Sequence, residues 1–551
     1  MTAPHQSGDL DLVLRRVRVG VTGHRTLVNP GAVRRGLEHV FQNMERLLPG
    51  EKHEYVIVSP LAEGADRLVA QWVLDNRPGS QLEAVLPMAR KEYYETFSET
   101  ERADSIREFD LLWSRAATRR ELAKTGSHGD AYKTVGEEVV KICDVLIAIW
   151  DGQPARGEGG TAGVVDFARQ NKFALFWLSP DAGKIRESSN LDRMAPDVIF
   201  LHEYNKEHIG DAEITRQADD RLWEMQDSAV KNGLDPKILE PLRLTVLPHF
   251  AKASALSASY QTRYFNSTYA AYIFSAAAVT TAAAGFLFFP GRHVIYALEF
   301  VEIAAVVVLT LTPRYRRLQR NWINYRFLAE RLRASCFLFV VDQHGLTSET
   351  PADLRVSWLP EDRVLIAQNA ILASLPKAGH TGRSVQHYQP GHDHAAKKFL
   401  LKSWIDDQRD YYRRKSVENQ TKHDTLERSL LALLIISLTA ALVHFFEGIW
   451  VSHVVDNVLD LIAVAFPAVA SALGGISVFR HFNRTAERYE SMADHLSKIS
   501  REMTTPEAHS APIQETALSP LQRLMREADA AMIHEHQGWR AVIGVHLPGP
   551  G

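Results

Sequence analysis

Residues 264–291 read YFNSTYAAYIFSAAAVTTAAAGFLFFPG, a run without a single charged side chain. As a helix rising 1.5 Å per residue, it is long enough to cover a hydrocarbon core of ~30 Å. Three further stretches have the same character. Residues 294–312 are apolar apart from Glu299 and Glu302. Residues 429–446 are uncharged if His444 is neutral, and need 446–449 for full length, while 458–479 carry only Asp460. Four such runs in two tight pairs predict two membrane hairpins rather than the buried helices of a large soluble core. The connections are short: Pro290, Gly291, Arg292 and His293 in the first pair, and the acidic 447–457 in the second. Arginines crowd the outer flanks instead, at 314, 316, 317 and 320, at 413, 414 and 428, and at 480, 484 and 488. By the positive-inside rule both termini and the central region lie in the cytoplasm and only the tips face outside.

The rest of the composition narrows the function. A chain of 551 residues calls for two to four domains, and 45% hydrophobic with 23% charged residues excludes wholesale disorder. Lys and Arg total 63 against 66 Asp and Glu, a net charge of -3, so no nucleic-acid partner is expected. Two cysteines, Cys143 and Cys336, cannot build a disulfide framework and fit a reducing compartment. The polar, acidic first residues have no signal-peptide pattern.

Upstream of the spans, residues 14–180 alternate strand and helix patterns. Strands are expected at 17–21, 55–58, 82–86, 145–150 and 173–177; 145–150 is nearly all apolar, as burial on both faces requires. Asn29-Pro30 supplies an N-cap and a first-turn proline for a helix reaching Leu48. This alternation predicts an α/β, Rossmann-like, doubly wound parallel sheet. In such a sheet, ligands bind beyond the carboxyl ends of the strands. Three loops there carry the candidate site. The first holds Gly23, His24 and Arg25, with the arginine offering a planar fork to phosphate; the second holds Ser59, Glu63 and Gly64, with Glu63 able to accept from a ribose hydroxyl. In the third, Asp151 and Gly152 are followed by Gly159, Gly160 and Thr161, whose backbone N–H groups would open a helix toward an anion. His24 is read as an exposed turn residue rather than a general acid or base.

The expected layout is a nucleotide-binding domain at 1–180, a helical stalk at 181–266, a first hairpin with its juxtamembrane helix at 267–340, a connector at 341–400, a second hairpin with flanking helices at 401–505, and a C-terminal helix and tail at 506–551. A weak repeat links the hairpins: Gln261 to Phe265 matches Gln408 to Tyr412, and Ala329-Glu330-Arg331 matches Ala486-Glu487-Arg488. The alanine-rich first span offers a small-residue face for assembly or for packing within its own hairpin. Glu299 and Glu302 share a helical face, and Glu302 lies ~13 Å into its span, where a pore or bundle interior suits a carboxylate better than lipid. Pro467 is expected to kink the fourth span and Gly474-Gly475 to loosen it. The segment 379–394 reads as a solvated loop, and its His380, His387, His392 and His394 lack the spacing of a metal site, so no metal or cofactor is expected.

Thr22 to Arg25, Ser59 to Asp66, Asp151-Gly152 and Gly159 to Thr161 together resemble the SLOG superfamily, the Rossmannoid group that includes DprA and the LOG phosphoribohydrolases. The paired hairpins resemble SLATT membrane modules. The resemblance covers the first third of the chain for SLOG and rests on architecture for SLATT. It implies a bacterial conflict system in the inner membrane, in which a homo-oligomeric effector forms a pore or disrupts the bilayer on sensing a nucleotide-derived ligand. LOG hydrolases carry a glutamate three residues after the threonine of their glycine-rich motif; Val164 stands there in this chain. Asp166 is about 200° further around the helix and does not replace it. Binding is therefore favoured over hydrolysis. A membrane-tethered phosphoribohydrolase and a scaffolding membrane protein remain the alternatives.

Overall fold

The computed structural model describes residues 13–48, 53–124, 126–154, 160–191, 198–315, 317–341, 361–372, 375, 390–446, 453–504, 521 and 524–532. Two compact units emerge, Met1–His208 with Glu349–Ser374, and Ile209–Ser348 with Leu375–Gly551.

The first unit is built on seven strands: β1 (Arg15–Gly23), β2 (His53–Ser59), β3 (Gln81–Leu86), β4 (Thr118–Glu121), β5 (Val145–Ile149), β6 (Leu175–Leu178) and β7 (Ile185–Ser189). Their order is β4-β3-β2-β1-β5-β6-β7. All neighbours run parallel except β7, which is antiparallel to β6. The central strands are apolar on both faces because helices cover both; every residue of β5 is buried. The expected sheet is thus present, but two strands beyond the expected five complete it, and one breaks the parallel pattern. Both are edge strands with half-exposed, polar sequences, TRRE and IRESS, which blunt an edge against further pairing and erase the apolar signal of a core strand. Asn29 caps the helix Pro30–Leu47 by accepting from the Ala32 amide, and Ser127 with Asp130 forms a capping box on His128–Ile142.

The second unit is helical. Among the described residues, four of its helices are long and apolar enough to cross a membrane, and they sit within Leu247–Phe288, His293–Thr312, His394–Phe445 and His453–Thr504. Their outer faces expose large apolar side chains, among them Phe286, Phe300, Leu438 and Phe445, as lipid-facing helices do. The two hairpins share one plan. In each, two long helices are followed by a third, the largely buried Leu318–Val341 after the first and the amphipathic Phe482–Thr504 after the second. The turn into that third helix is made by a non-glycine residue at positive φ, Arg317 (φ 49°) and His481 (φ 47°). The Leu247–Phe288 helix packs along both His293–Tyr315 and His453–Arg480, joining the hairpins.

Several expectations inside this unit change. The helix containing the first span already starts at Leu247 and runs into the span without a break. Pro467 sits inside a helix that runs unbroken from His453 to Arg480. Gly475 serves close approach rather than loosening: a Cβ there would lie 2.3 Å from the Tyr272 ring. Gly285 does the same within the first hairpin, where a Cβ would lie 2.5 Å from Ile295. The segment expected as a loop up to His394 is helical from Pro390, placing exposed His394 on the helix Pro390–Leu400; His380 and His387 lie outside the described residues, as does the side chain of His392. Among the described residues no His, Cys, Asp and Glu group could hold a metal ion. Both cysteines are buried as thiols rather than joined in a disulfide, and burial pushes the Cys336 thiol up to about 12.

Candidate functional site

Strand order fixes where a ligand crevice forms. From β1 the chain winds to β2, β3 and β4 on one side, then returns to place β5, β6 and β7 on the other. Connections on either side of β1 and β5 therefore diverge, leaving a gap beyond their carboxyl ends. The loops after β1, β2 and β5 meet there.

The first two loops are locked together. The His24 amide donates to the Ile149 carbonyl (3.1 Å), and the Ala65 amide donates to the His24 carbonyl (3.0 Å). Gly64 makes this approach possible. Its backbone sits at φ 82° and ψ -114°, and a Cβ would lie 2.1 Å from the Arg25 carbonyl oxygen. Gly23 is as tightly placed, since a Cβ would meet that of Ala65 at 2.4 Å. Ser59 is fully buried, and its hydroxyl accepts from the Leu61 amide at 3.0 Å, shaping the turn in which Leu61 itself has positive φ. Glu63 accepts from the Ser98 amide through both carboxylate oxygens (3.1 and 3.2 Å) and from the Ser105 hydroxyl. It thereby ties the second loop to the segment after β3.

Arg25 reaches across the crevice. Its Nη1 donates to the Thr96 carbonyl at 3.2 Å, and its guanidinium lies 4.9 Å from the centre of the Tyr132 ring. Burial works against its charge, yet Tyr132, Tyr93 and Glu63 around it raise its pKa above the ordinary value. His24 Nε2 accepts from the Asp151 amide at 3.1 Å and lies 3.2 Å from Asp151 Oδ1, so this loop holds the imidazole in place. The Gln153 amide, and then His24, keep the Asp151 carboxyl below its usual range. Gly152, at φ 86°, turns the chain beneath Trp177. Gly160 and Thr161 begin the helix Thr161–Gln170 without any side-chain cap, and the Gly163 amide donates to the Gly160 carbonyl at 3.0 Å. Gly159 lies outside the described residues.

Beneath these loops is a buried polar layer that the sequence had not singled out. Asp66, in the first turn of the helix Ala65–Asn76, is almost fully buried, and burial raises its pKa to about 7 despite the Ala62 amide and the charges of Arg25 and Arg67. Arg67 is 1% exposed. It donates to the Leu61 carbonyl, to the Ser105 carbonyl and hydroxyl, and to Glu108, while its Nη2 is buried without a hydrogen-bond partner. The Tyr93 hydroxyl is likewise buried and unpartnered. Leaving such groups unmet costs about 1–3 kcal/mol each. The available signal was the pair Asp66-Arg67 directly after Gly64-Ala65, two charges on the inward side of a helix start. Val164, in contrast, belongs to the core: it is 5% exposed, and a Cβ on Gly136 would lie 2.5 Å from its Cγ2. Asp166 is exposed and lies 3.9 Å from Arg169.

Glu302 is the other notable buried acid. It is 8% exposed, its Oε1 accepts from the Thr281 hydroxyl at 3.2 Å, and its Oε2 has no partner among the described residues. Glu299, one turn earlier, is half-exposed.

Comparison with known families bears on the membrane region. Residues 401–539 match the family described as SMODS and SLOG-associating 2TM effector domain 1. Residues 252–345 match a family of unknown function, DUF4231. No curated protein matches the chain. The second hairpin is thus similar to that two-helix effector domain, and together with the four long apolar helices this marks the chain as an integral membrane protein.

Proposed function

We propose that the protein is a ligand-gated membrane effector whose first unit senses a phosphate-bearing, nucleotide-derived molecule. The observation carrying this reading is the layer of buried, incompletely satisfied polar groups under Arg25, set at the strand-order reversal of an α/β sheet. Arg25 and the uncapped helix start at Gly160 and Thr161 would hold phosphate, and Glu63 a hydroxyl. The matched effector family supports the output: rearrangement of the hairpins into a pore or a membrane-disrupting assembly of several copies, in antiviral defence. The arginine-rich flanks support an inner-membrane orientation with both termini in the cytoplasm. Ligand binding would act by favouring one of two packings of the chain.

The test is a thermal-shift and calorimetric screen of the full-length protein against nucleoside monophosphates, cyclic oligonucleotides and ADP-ribose, each repeated with Arg25→Ala. A hit lost in that variant, and accompanied by dye release from liposomes bearing the wild type, is the expected outcome. Release of free base from a monophosphate would instead make the first unit a hydrolase. No response to any compound would leave the scaffolding reading.

A further inference from the structure

Within the second unit a cavity of ≈ 800 Å³ opens where the first and fourth spans leave their apolar runs. Its lining changes character along the helix axes. Toward the spans it is aromatic, with Tyr264, Phe265, Tyr272 and Phe479; Tyr264 and Phe479 lie 5.4 Å apart, and Phe265 stands edge-on to Trp322 at 5.0 Å. Away from the spans it is cationic: seven Lys or Arg side chains line it against two carboxylates, Glu330 and Glu418.

Those carboxylates are already engaged. Glu418 pairs with both Lys415 and Lys422, and Glu330 with Arg333. Arg326, beside Tyr489, Glu330 and Tyr411, is held charged above its usual range even though burial opposes the charge. Arg480 stacks on Phe265, 4.1 Å from the ring centre, at the boundary between the two characters. Arg484 and Arg488 lie one turn apart on Phe482–Thr504, and neither has an ion-pair partner among the described residues. The Nε of Arg333 is buried without a hydrogen-bond partner. Confined like charges repel, and guanidinium forks match phosphate oxygens. A basic pocket between membrane helices beside an aromatic wall suits a molecule with an anionic phosphate at one end and hydrocarbon at the other.

We propose that this cavity binds the phosphate of an anionic phospholipid, with the headgroup on Arg484 and Arg488 and an acyl chain leaving along Phe265 and Phe479. The site is separate from the crevice of the first unit and does not rest on that reading. It would make the effector sensitive to the lipid around it.

The experiment uses the full chain in phosphatidylcholine nanodiscs titrated with phosphatidylglycerol, with retained lipid read by native mass spectrometry. R484Q/R488Q should retain phosphatidylglycerol about tenfold or more weakly than wild type, since each change removes a charge-assisted contact. R413Q/R414Q removes the same charge from exposed positions outside the cavity and should change retention little. R484K/R488K keeps charge without the planar fork, and an intermediate loss from this gentler pair would support the site even if the Gln pair folds poorly. In a second arm, glycerol 1-phosphate is offered to discs of phosphatidylcholine alone. Weak binding there supports the lipid, whereas binding as tight as that of phosphatidylglycerol overturns the lipid source in favour of a soluble phosphate. Equal phosphatidylglycerol retention by wild type and both cavity variants, or equal loss in R413Q/R414Q, would overturn the site itself.

Discussion

Gly64→Ala tests whether the crevice is a single interlocked structure. The substitution acts twice. At φ 82° and ψ -114° the backbone is in a region that only glycine occupies freely, a strain of about 1–3 kcal/mol for alanine. The new methyl would also lie 2.1 Å from the Arg25 carbonyl oxygen and 2.5 Å from that of His24, and both are backbone atoms that cannot swing aside. Forcing an extra carbon into such a contact costs about 1–3 kcal/mol more. The sum, roughly 2–6 kcal/mol, is a large fraction of the ~5–15 kcal/mol that stabilises a domain. Relief comes by parting the His24–Arg25 loop from the helix start, which breaks the Ala65-to-His24 hydrogen bond. Because a chain of two units does not unfold in one step, the measurement is amide hydrogen exchange on the full-length protein. Exchange at the ends of β1 and β2 should accelerate at least about thirtyfold, the factor for ~2 kcal/mol. Gly163→Ala is the control: a Cβ there meets nothing within 4 Å, inside a helix, so protection should rise by ~0.5–1 kcal/mol. Unchanged exchange in Gly64→Ala would refute the claim that the two loops depend on each other.

Arg25→Ala should weaken binding of a phosphorylated ligand roughly ten- to a hundredfold while leaving the fold intact, because the side chain lies over the loops at the surface and is no part of the hydrophobic core; calorimetry reads both affinity and stoichiometry. Asp66 gives a pH signature. Its folded pKa of about 7 exceeds the ~3.9 of an unfolded Asp, so the fold keeps a proton that the unfolded chain has released. Stability should therefore fall as pH rises from about 4 to about 7, by up to about 4 kcal/mol, and level off above; once exchange is corrected for its intrinsic base-catalysed rise with pH, loss of this fall in Asp66→Asn would identify the source. Reporter fusions after residues 179 and 379 and at the C-terminus should read as cytoplasmic and an insertion near 452 as external; an external reading at 379 would break the two-hairpin topology. Glu302→Gln should insert and fold normally but alter triggered ion flux through liposomes, and identical flux and selectivity would remove Glu302 from any conducting path.

The membrane region was legible because lipid imposes one rule on every residue it touches. The apolar runs near 264–288 and 458–479, the second interrupted only by Asp460, outweighed the alternative of buried helices in a soluble core, and the arginines beyond them marked where each run stops. Finer features carry less information. Pro467 can kink a helix and the 474–475 glycines can loosen one, but in a span the backbone has no water to turn to, so the helix continues from His453 to Arg480 and the glycines become contact surface for Tyr272 and Leu430. The edge strands β4 and β7 were lost because an edge strand is selected for polarity, which makes it read as loop.

The crevice divides along a similar line. Glycines needed by backbone geometry, Gly23, Gly64 and Gly152, announce themselves, since few other residues tolerate those positions. What they surround does not. Arg67 draws its partners from Leu61, Ser105 and Glu108, and Arg25 draws Thr96 and Tyr132, so the polar layer is assembled from segments up to about a hundred residues apart. Only the winding of β1 to β4 in one direction and the return to β5 bring them together. The same geometry separates two residues that look interchangeable in the sequence. Val164 turns inward against Gly136, whereas Asp166, two positions on, turns out toward Arg169. An acid two residues from the hydrolase position therefore lies on the other side of the helix from Val164 and does not take its place.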